Sequence, residues 1–580
     1  MRVTAAAYSV VALAALSVAH AQTLQPFMAS LHAHTDYSDS VHQWLPLIAP
    51  ESASPAKAFA YALWPGGLQI MATTDHAETL SPYALDNQLV GHILGQDLVA
   101  RHKTPNEWAD TLAQAAAVTR PGTFVALRGF EWTGDAIPGQ GHINVIGSQE
   151  YTGAHSFTPD AADMLSPTLA SFYAWLADHA TAIDGGTPVC QFNHPDRYAT
   201  PAPPFADFAY NPLVDPYFAL LEIGNGYDPD LPFSIPDVGY QGPSHNERWF
   251  IRALDQGWHV APTNNQDNHT GHYGNQNSHR TGVWATELTA TAVMDALRQR
   301  RVFATEDANL VCALWAGPDG PSPSLSYFMG ARDVPASAEL GLRIQLSAPT
   351  LDLASVEVLT VGGNVAWQAS PASMPPKGAR VAEWMVTLPY AQPQVHLAVT
   401  PAASLAVTLD ASATIATGPI RETYYFVRVR ESRGASLYTA PVWVQPASAW
   451  RPTSYTWSFG DGSPTYTESA NNAPDGSFDG KTTHVYPASG TYNGTLTVDG
   501  PGGVDTSASW QVHVGATMPG DVNGDGVVGI GDAVLALRAV LKLVDLSPSQ
   551  IAAADVAPAG GDGHVSLADV VRLLQMAIGI

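Results

Sequence analysis

The sequence predicts a multidomain fold: an α/β domain of barrel or layered type, then β-sandwich units, then a small α-helical unit at the C-terminus. Three observations predict it. A chain of 580 residues is too long for one hydrophobic core. Between Pro26 and Asp307, short apolar runs alternate with helix-like segments. Beyond Asn309 the helical period fades and strand-like runs dominate.

At the N-terminus, Arg2 precedes an apolar run over 10–18 and the small-residue pattern Ala19-His20-Ala21. That is the layout of a secretory signal peptide, so 1–21 is expected to be removed near Ala21, leaving a secreted or periplasmic chain. The run is too short to span a bilayer and no later segment offers a membrane span. The α/β domain is assigned to 22–309. Its apolar runs at 27–34, 68–74, 123–131, 142–147, 188–193, 218–223 and 259–263 read as buried strands. Thr104-Pro105-Asn106-Glu107 reads as an N-cap threonine, a first-turn proline and a capping-box glutamate opening a helix over 108–118. Ser54-Pro55 and Ser166-Pro167 repeat the cap-plus-proline signal.

Runs at 342–346, 356–361 and 424–429 predict an accessory β-sandwich over 310–448. The next unit, 449–516, carries Trp457-Ser458-Phe459-Gly460-Asp461-Gly462, then His484-Val485-Tyr486 and Gly490-Thr491-Tyr492. The last, 517–580, holds Asp521, Asn523, Asp525 and Asp532 at loop positions 1, 3, 5 and 12, with Gly526 making the sharp turn at the sixth. Oxygen ligands so spaced suit a hard calcium ion. A second loop offers Asp555, Asp562, Ser566 and Asp569, but has an insertion over 558–561 and Ala557 where a polar ligand belongs, so its calcium site is expected to be the weaker. Each loop precedes an amphipathic helix.

The formal net charge of −26 opposes the phosphate neutralisation on which nucleic-acid binding depends, so no such partner is expected. Cys190 and Cys312 read as buried thiols, with a bridge open to them in an oxidising compartment.

The chemistry concentrates at strand edges. In Leu31-His32-Ala33-His34, side-chain alternation puts both imidazoles on one side, where they can share a metal ion. Alone that pair reads as surface or hydrogen-bonded histidine; the series decides. Later runs deliver Thr74-Asp75-His76, Phe130-Glu131-Trp132, Gly141-His142, Asn193-His194-Pro195 and Asp267-Asn268-His269. Barrel enzymes gather catalytic groups at strand ends in this way. Of the adjacent pair Asp75 and His76, which point apart, His76 is expected as the ligand and Asp75 as a supporting residue; Glu222 is placed in the supporting shell too. Arg280 and Arg197 are candidates to clamp an anion by paired hydrogen bonds.

This ordered set of motifs resembles the PHP (polymerase and histidinol phosphatase) superfamily over 27–307. Glu131-Trp132, Gly141-His142-Ile143-Asn144 and the later Tyr425-Phe426-Val427-Arg428-Val429 look most like its secreted branch that includes carbaryl hydrolase. The resemblance implies a distorted (β/α)7 barrel with a di- or trinuclear site. In it His32, His34, Glu131 and Asp267 would hold one metal, Glu131 would bridge to a second held by His142 and His194, and His76 and His269 would hold a third with Asp39. Glu131, Asp39 and Arg280 would act directly in catalysis. Ser40 stands where the family's SDG motif has glycine, and Asn264-Asn265-Gln266 replaces its glycine-serine lead. Unit 449–516 resembles PKD (polycystic kidney disease) domains and 517–580 a type I dockerin, which implies a cohesin-bearing partner.

The resulting expectation is a secreted metal-dependent hydrolase using metal-activated water on a small-molecule ester, phosphoric esters first. Mixed imidazole and carboxylate ligands suit zinc, manganese or iron. The second enzyme reading is a carboxylic or carbamate ester hydrolase, and a reading of another class is a non-catalytic binding or scaffold protein.

Overall fold

The computed structural model describes residues 23–38, 54–80, 106–134, 137–155, 165–198, 202–226, 243–318, 325–401, 405–469, 478–501, 503–515 and 518–580. The signal-peptide expectation for 1–21 and the Asp39 assignment lie outside the described residues.

The first domain is built on β1 (Gln25–Ser30), β2 (Ile70–Thr73), β3 (Val125–Thr133), β4 (His142–Ile146), β5 (Val189–Asn193), β6 (Phe218–Gly224), β7 (Ala261–Asn264), β8 (Arg280–Ala285) and β9 (Val302–Thr305). Their order in the sheet is β9-β8-β1-β2-β3-β4-β5-β6-β7. Strands β2 through β7 are buried at every residue, which is why they read as near-continuous apolar runs. The sheet curls until its far edge meets the start. The Asn264 N–H donates to Thr281 Oγ1 at 3.0 Å and Asn264 Nδ2 donates to the Thr305 carbonyl at 3.1 Å, setting β7 against β8 and β9.

Pairing is parallel along β1-β2-β3 and β5-β6-β7, but β4 is antiparallel to both neighbours and β8 antiparallel to β1. The reversal of β4 matters for chemistry, because it brings the first residue of that strand to the edge where its neighbours end. His142 lies in register with Thr133 of β3 and Asn193 of β5. The turn before it depends on Gly141, at φ 81°, where a Cβ would meet the Phe205 ring at 2.5 Å.

Helix α1 (Pro55–Leu63) starts behind Ser54 with proline in its first turn, as the sequence indicates. In α2 (Glu107–Val118) the cap is Asn106, not Thr104: its side chain accepts the Ala109 N–H. In α3 (Leu169–His179) Thr168 and Ser171 form the capping box in place of Ser166. Ser166 is committed elsewhere, its carbonyl to Trp132 Nε1 at 2.8 Å and its hydroxyl to Thr152 at 3.0 Å. Helices α4 (Pro243–Gln256) and α5 (Ala290–Arg298) complete the layer. On α5 the buried face is Val293, Met294, Ala296 and Leu297 at helical spacing, and burying Leu297 alone is worth roughly 2 kcal/mol.

The strands expected to form a separate sandwich are continuous with this sheet. Leu353–Thr360, Thr423–Glu431 and Ser436–Thr439 extend it, the last pairing with β9. A second sheet comprises Val311–Gly317, Tyr327–Phe328, Glu339–Ser347 and Val381–Pro389. Across the junction, Glu247 of α4 accepts the Tyr438 hydroxyl at 2.8 Å and pairs with Arg428.

His259 also crosses the junction, with Nδ1 2.9 Å from Asp215 and Nε2 2.8 Å from Glu422. Burial opposes its charge, but the two carboxylates prevail and raise its pKa above 6.5. A folded-state pKa above the unfolded value means that this clamp stabilises fully below pH 6.5 and is lost as pH rises through the raised pKa. His259→Ala is therefore expected to cost about 3 kcal/mol at pH 6, because it strands a buried carboxylate. It should also flatten the decline of melting temperature as pH rises above 6.5. Thermal melts of both proteins across that range check it.

In the third unit, Ser454–Ser458, Tyr466–Ser469, Gly490–Gly500 and Gly503–Val514 form one sheet around Trp457, Leu496 and Val498. The strand Lys481–Val485 joins a different partner. It pairs with Ala406–Asp410, itself hairpinned to Ala398–Pro401, so strand pairing crosses the expected cut between 448 and 449. The tail consists of α6 (Ile530–Val540), α7 (Pro548–Ala554) and α8 (Leu567–Ala577) around a small core of Val522, Ala533, Ala536, Ala554, Val570 and Leu573. Cys190 and Cys312 are both buried free thiols. Among the described residues, no helix is long and apolar enough to cross a membrane.

Candidate metal centre

Strand β1 stops at Ser30, yet the chain stays extended because Ala33 bridges to Asn268 and the His34 N–H donates to the Asn268 carbonyl at 3.0 Å. His32 and His34 consequently face the same side, their Nε2 atoms 3.2 Å apart. The other ring nitrogens fix the tautomers. His32 Nδ1 donates to Glu222 at 2.9 Å. His34 Nδ1 donates to Ser38 Oγ at 3.1 Å, whose own proton goes to Asp75 at 2.7 Å. His269 Nδ1 donates to the Asp267 carbonyl at 2.8 Å. The Nε2 atoms of His32 and His34 therefore point at one another, and at Asp267 Oδ1, 3.1 Å from each. Burial opposes charge on His32, but Asp267, Glu222 and Glu131 prevail and raise its pKa well above 6.5, so the carboxylates around this point favour a cation there.

Glu131 is the hub. Its carboxylate lies 3.1 Å from His76 Nδ1, 3.2 Å from His142 Nδ1, 3.3 Å from His32 Nε2 and 3.4 Å from His194 Nε2. Burial would raise its pKa, but His142, His32 and His76 hold it well below the usual carboxylate range. Burial pushes the His142 imidazole down to about 4, so it offers a lone pair at neutral pH. His194 and Asp267 sit at φ 26° and 44°, left-handed backbone costing about 1–3 kcal/mol each that the surrounding fold must hold in place.

The ligand atoms gather in overlapping sets, each within 4.8 Å: His34, His76 and His269; His32, His194 and Asp267; His32, His34 and Glu131; His76, Glu131 and His142. All eight imidazole and carboxylate residues expected from the described strand edges therefore meet at one place. The grouping differs in detail from that implied by the resemblance, since His194 stands with His32 and Asp267, and His34 also joins His76 and His269. The mixed imidazole and carboxylate donor set fits divalent zinc, manganese or iron.

Asp75 takes no part in these sets; it accepts the Thr35 N–H at 2.6 Å and the Ser38 hydroxyl, supporting the turn after His34. Arg280 departs from the expected anion clamp. Its guanidinium donates to the carbonyls of Gly274, Asn277 and His279 at 2.6–3.1 Å, which commits it to the 274–279 loop. Arg197 is the guanidinium at the cluster's rim, 4.0 Å from Asp267 and 41% exposed.

Several supporting residues escape the strand-edge reading. Asn193 Nδ2 donates to Glu131 at 2.7 Å, Asn265 Nδ2 to Glu222 at 3.0 Å, and Thr133 Oγ1 lies 2.8 Å from His76 Nδ1. The available signal was polar residues inside wholly buried strands, as in Val189–Asn193. Glu222 takes the His32 Nδ1–H, the His194 N–H at 2.9 Å and Asn225 Nδ2 at 2.8 Å. Glu222→Gln is expected to weaken metal affinity about 10–100-fold, the usual cost of disturbing a ligand's supporting partner. Competition titration against a chromogenic chelator measures it.

In the tail, Asp521, Asp525 and Asp532 bring carboxylate oxygens together within 4.8 Å. Asp521 accepts the N–H groups of Gly524, Asp525 and Gly526 at 2.9–3.1 Å, and Asn523 Nδ2 donates to Asp525. In the second loop, Asp555 accepts from Asp562 and Gly563, and Asp569 from Val556, Ala557 and Ser566, so the loop closes around its insertion. Among the described residues its carboxylates do not gather into such a set.

Residues 68–194 match the model of a family described as a protein of unknown function (DUF3604), 445–514 that of the PKD domain, and 519–576 that of the dockerin type I domain. No curated protein matches the chain. Among solved structures, the chain is similar to a two-domain protein from Bacteroides vulgatus containing a predicted PHP-like metal-dependent phosphoesterase. Identity is 12%, covering 68% of this chain and 95% of that one, with a TM-score of 0.30. It is also similar to the PKD1 domain of the Vibrio cholerae metalloprotease PrtV, at 20% identity over 22% of this chain and 96% of that one, TM-score 0.11. The PKD1 domain of Vibrio anguillarum Epp gives 14% identity over 22% and 95%, TM-score 0.12. From 445 onward, the chain is a PKD domain followed by a type I dockerin.

Proposed function

We propose that the N-terminal domain is a metal-dependent hydrolase of ester bonds, phosphoric esters foremost, built on a distorted barrel of the PHP type. The observation that supports it is the convergence of eight imidazole and carboxylate side chains from separate strand edges, with the His32, His34 and His269 rings held in orientation by hydrogen bonds at Nδ1. His32, His34, Glu131 and Asp267 would hold one ion. His76, His142, His194 and His269 would complete a second and third around Glu131. When bound, such ions polarise the scissile ester and favour deprotonation of water. The chain's own residues prepare for this: Glu222 and Ser38 orient the His32 and His34 imidazoles, Asn193 orients Glu131, and Arg197 offers a positive rim to an anionic substrate.

One observation favours the second reading, a carboxylic or carbamate ester hydrolase. Arg280 spends its Nη1 and Nη2 donors on backbone carbonyls, so they do not form the paired donors with which a phosphate clamp grips its anion. Elemental analysis of the purified, metal-resupplied protein, together with a panel of aryl phosphates, phosphodiesters and aryl esters, separates the cases. Metal stoichiometry near zero would sink both. The dockerin is proposed to tether the chain to a cohesin-bearing partner outside the cell.

A further inference from the structure

Beneath the cluster the domain interior is polar. Asn144, Gln191, Asn193, Glu222, Thr263 and Asn265 are all 0% exposed, and they form one connected network. Its hydrogen bonds have a direction. Thr263 Oγ1 donates to Gln191 Oε1 at 2.8 Å, and Asn265 Nδ2 donates to the same oxygen at 3.1 Å. Gln191 is thereby turned so that Nε2 donates to Asn193 Oδ1 at 2.9 Å. That in turn leaves Asn193 Nδ2 to donate to Glu131 at 2.7 Å and to Asn144 Oδ1 at 2.9 Å. On the other arm, Asn265 Nδ2 donates to Glu222 Oε1 at 3.0 Å, the oxygen that also takes the His32 Nδ1–H. Asn265 is itself anchored, its Oδ1 accepting the Leu31 N–H at 2.8 Å.

Gln191 occupies the junction of the two arms. It touches no proposed ligand, yet it determines which end of Asn193 meets Glu131, and it shares Asn265 with Glu222. In a dry interior, N–H groups aimed at a carboxylate both stabilise its charge and fix its orientation, and one inverted carboxamide inverts those joined to it.

We propose that Gln191 is a positioning residue of the metal centre, acting through Asn193 on Glu131 and through Asn265 on Glu222, so that one carboxamide sets the geometry of both carboxylates. The inference rests on reading the cluster as a metal centre. Gln191→Glu keeps the shape but replaces the donor facing Asn193 Oδ1 with an acceptor. Asn193 Oδ1 then faces an acceptor in place of its donor, which removes one of the contacts that hold the amide donating to Glu131.

The test uses the full chain, stripped with chelator and titrated with cobalt(II) alone. It reads the dissociation constant, the visible absorption of the bound cobalt and the melting temperature of the metal-free protein. The wild type is expected to bind cobalt; Gln191→Glu is expected to bind it about 10–100-fold more weakly, with an altered spectrum and little change in the metal-free melt. Thr263→Val, which removes the hydroxyl that orients Gln191, is expected to shift affinity and spectrum in the same direction by less, and it decides the matter if Gln191→Glu does not fold. Wild-type affinity and spectrum in the folded variant would overturn the proposal while leaving the metal centre standing. A wild type that binds no cobalt would overturn the metal centre itself, and the inference with it.

Discussion

Replacing Glu131 by glutamine is expected to abolish hydrolysis while the protein stays folded. The carboxylate lies within 3.1–3.5 Å of five imidazoles, His32, His34, His76, His142 and His194, and so is placed to serve more than one ion. An amide of the same shape carries no charge and turns an N–H toward one side of the cluster. The loss should exceed the roughly 10–100-fold that outer residues cost, because here the charge itself is removed. The fold should survive, since Glu131 is one residue of a nine-residue buried strand whose ladder to β4 does not depend on the side chain. Steady-state rates, metal content and circular dichroism on one preparation check all three parts. Full activity in Glu131→Gln would remove the residue from the metal-binding set.

The second large effect is expected in the tail, which should fold only with calcium. Its fully buried core is six small or medium side chains with six partly buried ones packed against them, too little to offset the entropy of ordering some sixty residues. The first loop supplies what is missing: Asp521, Asp525 and Asp532 crowd like charges within 4.8 Å, a cost without a cation and a binding site with one. At calcium a hundredfold above its dissociation constant, the gain is about 2.7 kcal/mol per site. Isolated 519–580 should therefore gain helical circular dichroism on adding calcium, with the first loop binding more tightly than the second. Asp521→Ala should reduce that gain and weaken partner binding without changing hydrolysis by the full chain. Equal helicity in chelator and in calcium would refute the coupling.

What was legible in the sequence was whatever a local pattern encodes. Seven apolar runs became strands β1 through β7, and the histidines and carboxylates at their edges came together. His142 fitted at the start of a run rather than its end, and the antiparallel course of β4 explains why. Less legible were features decided by distant partners. Nothing near Arg280 signals that carbonyls of the 274–279 loop will absorb its donors. The helix caps slid by two residues to Asn106 and Thr168, where another oxygen was available and the expected serine was held by Trp132 and Thr152. The role of Gln191 depends on which way Thr263, far along the chain, turns its hydroxyl.

The exchange of Lys481–Val485 onto the hairpin formed by Ala398–Pro401 and Ala406–Asp410 bears on how the molecule behaves once anchored. A bead on a string swivels about its linker and sweeps a sphere. Here the connection between the two β-rich units is doubled, once through the chain at 446–453 and once through a hydrogen-bonded ladder. Rotation about the covalent link would break that ladder. The N-terminal unit therefore stands from its PKD support as a boom from a mast, with its bearing fixed at folding, and a protease cut in the short connection would leave the halves clasped together.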